Sequence, residues 1–210
     1  MKRILLMAIV VVAVAFSSIQ SHAAIMFQEN FEGDLSAWTG KFGGDYSGVI
    51  ADDPIMGSAN SVLTFTEVAS KGDIFTVNTF NSASDEFRLS FDYLGLESSC
   101  GDGGGFIGFS EDTGGSNYWL AGTEAYTGAL GLVYPLQDTG EWTHVVIDFS
   151  FPGSMHIMIE DFLRPLVVAG DAFFDNIVLE NPQEVPVPEP ATLLLLGFGL
   201  IGIAGGMRRK

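Results

Sequence analysis

From about residue 25 to residue 180, apolar side chains return at every second position far more persistently than at every third or fourth. Phe87, Leu89, Phe91 and Tyr93 alternate with Arg88, Ser90 and Asp92. Thr143, Val145, Ile147 and Phe149 alternate with Trp142, His144, Val146 and Asp148, and Met155, Ile157 and Ile159 with His156, Met158 and Glu160. Period-two alternation turns one set of side chains toward a core and the other toward water, as an antiparallel strand does. Further apolar or β-rich runs lie at 25–31, 45–51, 61–68, 73–80, 104–110, 117–122 and 172–180, divided by clusters of Gly, Asn, Asp and Pro that read as turns. The spacing predicts about ten strands, and two sheets packed face to face bury that many one-sided strands most economically. The expected class is therefore all-β, a two-sheet antiparallel sandwich of jelly-roll type. A propeller would need an internal repeat of about 40 residues, and the chain has none.

The alternation stops at both ends. Lys2 and Arg3 precede an apolar run from Ile4 to Phe16, and small residues follow at Ser21 and Ala23, the order of a secretory signal peptide. Residues 1–24 are thus expected to form a signal helix that signal peptidase removes, leaving a β-sandwich domain over 25–181. Residues 182–190 read as a proline-rich linker, since the run from Val185 to Pro190 is too dense in proline for a helix or a central strand. Residues 191–207 are apolar apart from Thr192 and meet the ~17-residue lower bound for a helix that crosses a bilayer. Arg208, Arg209 and Lys210 then hold the end on the cytoplasmic side, so the sandwich is placed outside the cytoplasm and meets the membrane only through this helix.

Two resemblances rest on particular residues. Pro188, Glu189 and Pro190, directly followed by an apolar helix and by Arg208, Arg209 and Lys210, resemble the PEP-CTERM sorting signal of Gram-negative bacteria that make exopolysaccharide. This resemblance covers residues 186–210. It implies processing by an exosortase, a membrane cysteine protease, so that the tail is a transient anchor and the destination is the cell surface or extracellular matrix. The run from Asn30 to Trp38 and the run from Phe173 to Leu179 resemble the opening and closing strands of galactose-binding-like domains and carbohydrate-binding modules. That second resemblance implies a structural calcium held by Glu32 and Asp175. Asn30 and Asp52, or its neighbour Asp53, are candidates for further oxygens. A hard cation takes six to eight oxygens, and two carboxylates on adjacent strand ends repel without one.

Charge narrows the partners. All 26 acidic residues lie between Glu29 and Glu189, where only four basic residues stand, Lys41, Lys71, Arg88 and Arg164. Such a field repels nucleic acid, anionic lipid and polyuronate, and it favours neutral sugars or cations. A single cysteine, Cys100, excludes an intramolecular disulfide framework. Trp142, His144 and Asp148 share the polar side of one expected strand, and Tyr118 and Trp119 follow a glycine turn. Sugar sites combine an aromatic platform for the apolar ring face with imidazole and carboxylate groups for the hydroxyls, so these five are the candidate glycan site. Neither a nucleophile elbow nor a sequential calcium loop occurs, and no catalytic residues are assigned. The expected protein is a secreted, surface-sorted, non-catalytic component of the matrix or envelope that binds neutral exopolysaccharide. The alternatives are a structural or adhesive protein that binds another matrix protein, and a glycoside hydrolase.

Overall fold

The computed structural model describes residues 23–96, 104–114, 118–123, 134–162 and 169–182. The signal helix, Cys100, the end of the linker and the apolar tail lie outside these residues. Within them Ala24–Pro182 forms one compact unit of twelve strands. These are β1 (Ala24–Glu29), β2 (Trp38–Gly40), β3 (Gly48–Asp53), β4 (Gly57–Phe65), β5 (Ile74–Thr76) and β6 (Glu86–Gly95). Then follow β7 (Gly105–Ser110), β8 (Tyr118–Thr123), β9 (Tyr134–Leu136), β10 (Thr143–Ser150), β11 (His156–Asp161) and β12 (Ala172–Asn181). The first sheet runs β10-β6-β12-β4-β3, with β1 pairing the C-terminal half of β12. The second runs β2-β5-β11-β7-β8-β9, and its β8–β9 pair is parallel.

The expected alternation decides which side chains meet between the sheets. Phe87, Leu89, Phe91 and Tyr93 of β6 and Val145 and Ile147 of β10 pack against Ile107, Phe109, Ile157 and Ile159 of the second sheet in one core. Each such side chain removed from water stabilises the fold by about 1.5–3 kcal/mol. The three-residue strands β2 and β9 are too short to show any alternation, and the sequence pattern misses both. One expectation needs correction. His156, Met158 and Glu160 alternate with core residues and should face water, yet Met158 and Glu160 are fully buried. β11 is central in its sheet, and the stretch from Ala69 to Asp73 lies against it through Ala69 N–H to Asp161 C=O (2.8 Å) and Asp73 N–H to Ile159 C=O (3.1 Å). Among the described residues no helix is long and apolar enough to cross a membrane.

Both motifs of the second resemblance have a structural cause. At the end of β1 the Glu29 carboxylate accepts the backbone N–H of Asn30 (3.1 Å) and of Phe31 (3.0 Å) and the indole N–H of Trp38 (3.2 Å). This turn holds Phe31 in the left-handed region, φ 54°, which a bulky residue adopts only when its surroundings impose it. Burial offsets the strain, since Phe31 is fully enclosed and stacks on Trp38 with ring centroids 6.0 Å apart. In β12 the run from Phe173 to Leu179 contains a bulge. Asp175 pairs with Asp92 and Val178 with Ser90, so Asn176 and Ile177 together face the single residue Phe91.

Candidate functional site

The outer face of the first sheet carries the polar half of each alternation, and its side chains fall into bands that cross the strands. At one end Val62 of β4, Leu94 of β6 and Phe173 of β12 form a small buried apolar cluster, separate from the core. Trp142, just ahead of β10, packs over them and is only partly buried. Its indole N–H reaches the Asp53 carboxylate at the end of β3 (3.1 Å).

Next to this patch runs a chain of hydrogen bonds across five strands. The Asn60 amide donates to both Asp53 (3.1 Å) and Asp175 (3.0 Å). The bulge turns Asn176 outward, φ 49°, and its amide donates to Asp92 (2.8 Å) and to Asp175 (3.3 Å). The other oxygen of Asp92 lies 2.6 Å from His144 Nδ1. A carboxylate at that distance fixes the proton on Nδ1 and leaves Nε2 as the free ring nitrogen. Bulges of this kind re-aim side chains, and here the bulge links β12 to β6. The carboxyls are not equivalent. Burial pulls Asp53 upward, but the N–H groups of Met56 and Ile55, the Asn60 amide and the Trp142 indole outweigh it and hold its pKa below the ordinary value. Burial raises Asp175, and the nearby Asp92 and Glu32 charges add to the rise against the donors of Asn60 and Asn176.

Beyond this row lie Val146, Ser90 and Val178 in register, then Asp148, Arg88 and Glu180 in register. Arg88 grips Asp148 with two hydrogen bonds, 2.7 and 3.0 Å. Outward residues of one strand stand roughly 6.7 Å apart and strands about 4.8 Å apart. The small side chains of Val146, Ser90 and Val178 therefore floor a shallow trough crossing the strands, with larger polar rows roughly 13 Å apart as its walls.

Of the expected glycan residues, Trp142, His144 and Asp148 are brought to this one face. Tyr118 and Trp119 are not. They belong to β8 of the second sheet, where Tyr118, still exposed, stacks on Phe109 (5.1 Å) and Trp119 meets Phe106 edge-on (5.5 Å). Asp53 is expected only as a cation ligand, and Asn60, Arg88, Asp92 and Asn176 carry no expectation, because they lie on strands far apart in the chain and only register unites them. Their one sequence signal was outward parity, which every second residue of a strand shares.

The expected calcium ligands are brought together only in part. Asp52 is exposed and has the opposite parity to Asp53, and it is Asp53 that shares the Asn60 amide with Asp175. Glu32 accepts the Ser61 N–H (3.0 Å) and Asn30 accepts the Glu32 N–H (3.4 Å). Both oxygens of Asp175 already face N–H donors, the Asn176 N–H at 2.7 Å among them. Among the described residues no three acidic, His or Cys side chains converge as a metal site. In this arrangement those oxygens face N–H donors, and the carboxylates that one amide bridges are Asp53 and Asp175.

The tail supplies the decisive match. Residues 186–210 carry the PEP-CTERM protein-sorting motif. Pro188, Glu189, Pro190, Arg208 and Arg209 fall within it, and the motif marks an exported chain that is anchored in the membrane and then cut. No curated protein matches the chain. Several solved structures do. The Clostridium thermocellum N-terminal endo-1,4-β-D-xylanase, its family 22 carbohydrate-binding and catalytic modules complexed with xylohexaose, is 13% identical. The match covers 81% of this chain and 31% of that one, with a TM-score of 0.50. A family 22 xylan-binding domain from Paenibacillus barcinonensis is 13% identical over 79% of this chain and 99% of that domain, TM-score 0.49. A Cellvibrio mixtus carbohydrate-binding module in complex with cellotriose is 15% identical over 75% and 98%, TM-score 0.40. At these identities the likeness is one of fold. The chain therefore joins a sorting tail to a sandwich with the fold of a carbohydrate-binding module.

Proposed function

We propose that this is an exported, non-catalytic glycan-binding protein, released from its membrane tail by an exosortase and working at the cell surface or in the extracellular matrix. The observation that carries the reading is the outer face of the first sheet. There a partly exposed Trp142 adjoins a preorganised row of carboxylate, amide and imidazole groups, with a trough crossing the strands beside it. Apolar sugar faces lie on aromatic rings and hydroxyls bond to polar groups held in place, so a glycan chain running across the strands suits this surface. The fold shared with a xylanase's carbohydrate-binding module complexed with xylohexaose supports it. The acidic field argues for neutral exopolysaccharide over polyuronate.

Co-sedimentation of the protein with the producing organism's exopolysaccharide tests the reading. Saturable retention is expected, with His144→Ala and Asp92→Asn each weakening it about tenfold, the worth of roughly 1.4 kcal/mol. His144 is exposed, so its replacement leaves the fold intact. Retention by another matrix protein with none by glycan would favour an adhesive role instead, and release of reducing ends would favour a hydrolase.

A further inference from the structure

The two sheets part where β9, the last strand of one, comes alongside β10, the edge strand of the other. A cavity of about 340 Å³ opens there, lined by Tyr93, Tyr134, Pro135, Gln137, Thr139 and Thr143 together with Leu136 and Val145. None of these eight side chains is charged, although the chain holds 26 acidic and 9 basic residues. Among the described residues of this lining a uronate or phosphate finds no base, and an amine finds no carboxylate. Asp138 stands beside it, but its carboxylate accepts the Tyr93 hydroxyl at 2.7 Å. Tyr93 in turn accepts the Gly105 N–H at 3.1 Å and is fully buried, so it serves as a fixed wall, and the ring open to a ligand is that of Tyr134. The hydroxyls of Tyr134, Thr139 and Thr143 engage no protein partner among the described residues. Ring and proline faces beside free hydroxyls match a molecule with apolar faces and hydroxylated edges. The volume is at the lower end of the ~300–1,000 Å³ range of small-molecule sites, room for one or two sugar rings.

We infer that this cleft is a second saccharide site, one that takes an uncharged terminal sugar or disaccharide, distinct from the trough that takes the length of a chain. The inference rests on the glycan-binding reading. Alternation along β10 sets the two sites on opposite sides of one strand, with Thr143 and Val145 lining the cleft and His144 turned to the outer face. A chain end in the cleft thus leaves the trough accessible, and one molecule can hold two glycan strands.

Isothermal titration calorimetry of the full-length protein in mild detergent tests it. The probes are D-glucose, D-galactose, D-xylose, cellobiose and xylobiose, with D-glucuronate and D-glucosamine as charged controls. Binding of at least one neutral sugar is expected, at least tenfold tighter than the charged controls. Tyr134→Ala and Thr143→Val should each weaken it tenfold or more, with Val77→Ser, at an exposed position past β5 and away from both sites, unchanged. Thr143→Val preserves shape and keeps the test valid where Tyr134→Ala misfolds. Short-sugar binding lost with His144→Ala and retained in both cleft variants would overturn the second site and leave the outer face as the glycan site. Retention of polymer without binding of any short sugar would overturn the second site equally. Loss of polymer and short-sugar binding together in the unaltered protein would overturn both readings. Glucuronate binding as tightly as the neutral sugars would overturn the cleft's selectivity.

Discussion

Among the carboxylates of this chain, surroundings alone separate those that hold structure together from those kept protonated. Asp53 is held ionised by four N–H groups and so fixes Trp142 and Asn60. Glu160 is the opposite case. It is fully buried, one oxygen accepts the Gly72 N–H at 2.6 Å and the other has no partner. Burial pushes its carboxyl from an ordinary 4.5 up to about 8. The Gly72 N–H and the Lys41 charge offset this in part, and the Asp73 and Asp161 charges add to it. The folded chain therefore holds a proton that the unfolded chain releases near pH 4.5, so the stability due to this group falls as pH rises toward 8 and is constant above. Glu160→Gln, which cannot ionise, should lessen the fall in melting temperature between pH 5 and pH 8.5. The difference should be roughly 3 °C or more, since 1 kcal/mol moves a domain of this size by about 2–4 °C. Parallel pH profiles for the two proteins would show that Glu160 titrates at an ordinary pH.

At the scale of the element, the bulge in β12 shapes the outer face more than any single side chain. Without its extra residue Asn176 would lie in the strand's regular alternation, on the opposite face from Asp175, and could not reach Asp92. Two substitutions separate its backbone role from its side-chain role. Asn176→Gly suits the left-handed backbone and removes the amide, so stability should stay within about 1 kcal/mol while exopolysaccharide retention weakens. Asn176→Val places a β-branched residue at φ 49° and should cost about 1–3 kcal/mol in urea unfolding. Equal retention by the glycine variant and the parent would remove Asn176 from the site. In β11 the apolar and polar residues alternate as in a half-wet strand, yet both faces are buried, and on the second one Glu160 accepts the Gly72 N–H of a segment remote in sequence.

For the whole molecule, charge and export set the conditions of use. A chain with 26 acidic residues against 9 basic ones should leave polygalacturonate in the supernatant at low salt, while its retention by neutral polymer should change little between 20 and 300 mM salt, roughly the span over which surface fields are screened out. Retention of polygalacturonate at low salt would show that local groups override the field. A chelator should leave the melting temperature unchanged, because N–H donors already satisfy Asp175 and Asp53. A fall that calcium reverses would mean that the Asn60 amide turns its oxygen inward around a bound ion.

The sequence by itself determined what depends on order along the chain. The sorting tail is a linear motif, read at Pro188, Glu189, Pro190 and the closing arginines, and the period of two in β6 and β10 already separates core from surface. Only the tertiary structure decided which outward residues become neighbours. Trp142 and Asp53 are joined by an indole hydrogen bond across the sheet, Asn60 and Asp175 across 115 positions of chain, while Tyr118 and Trp119 end on the other sheet. Alternation states the face on which a side chain stands, and strand order and register, set by the packing of the whole core, state what stands beside it.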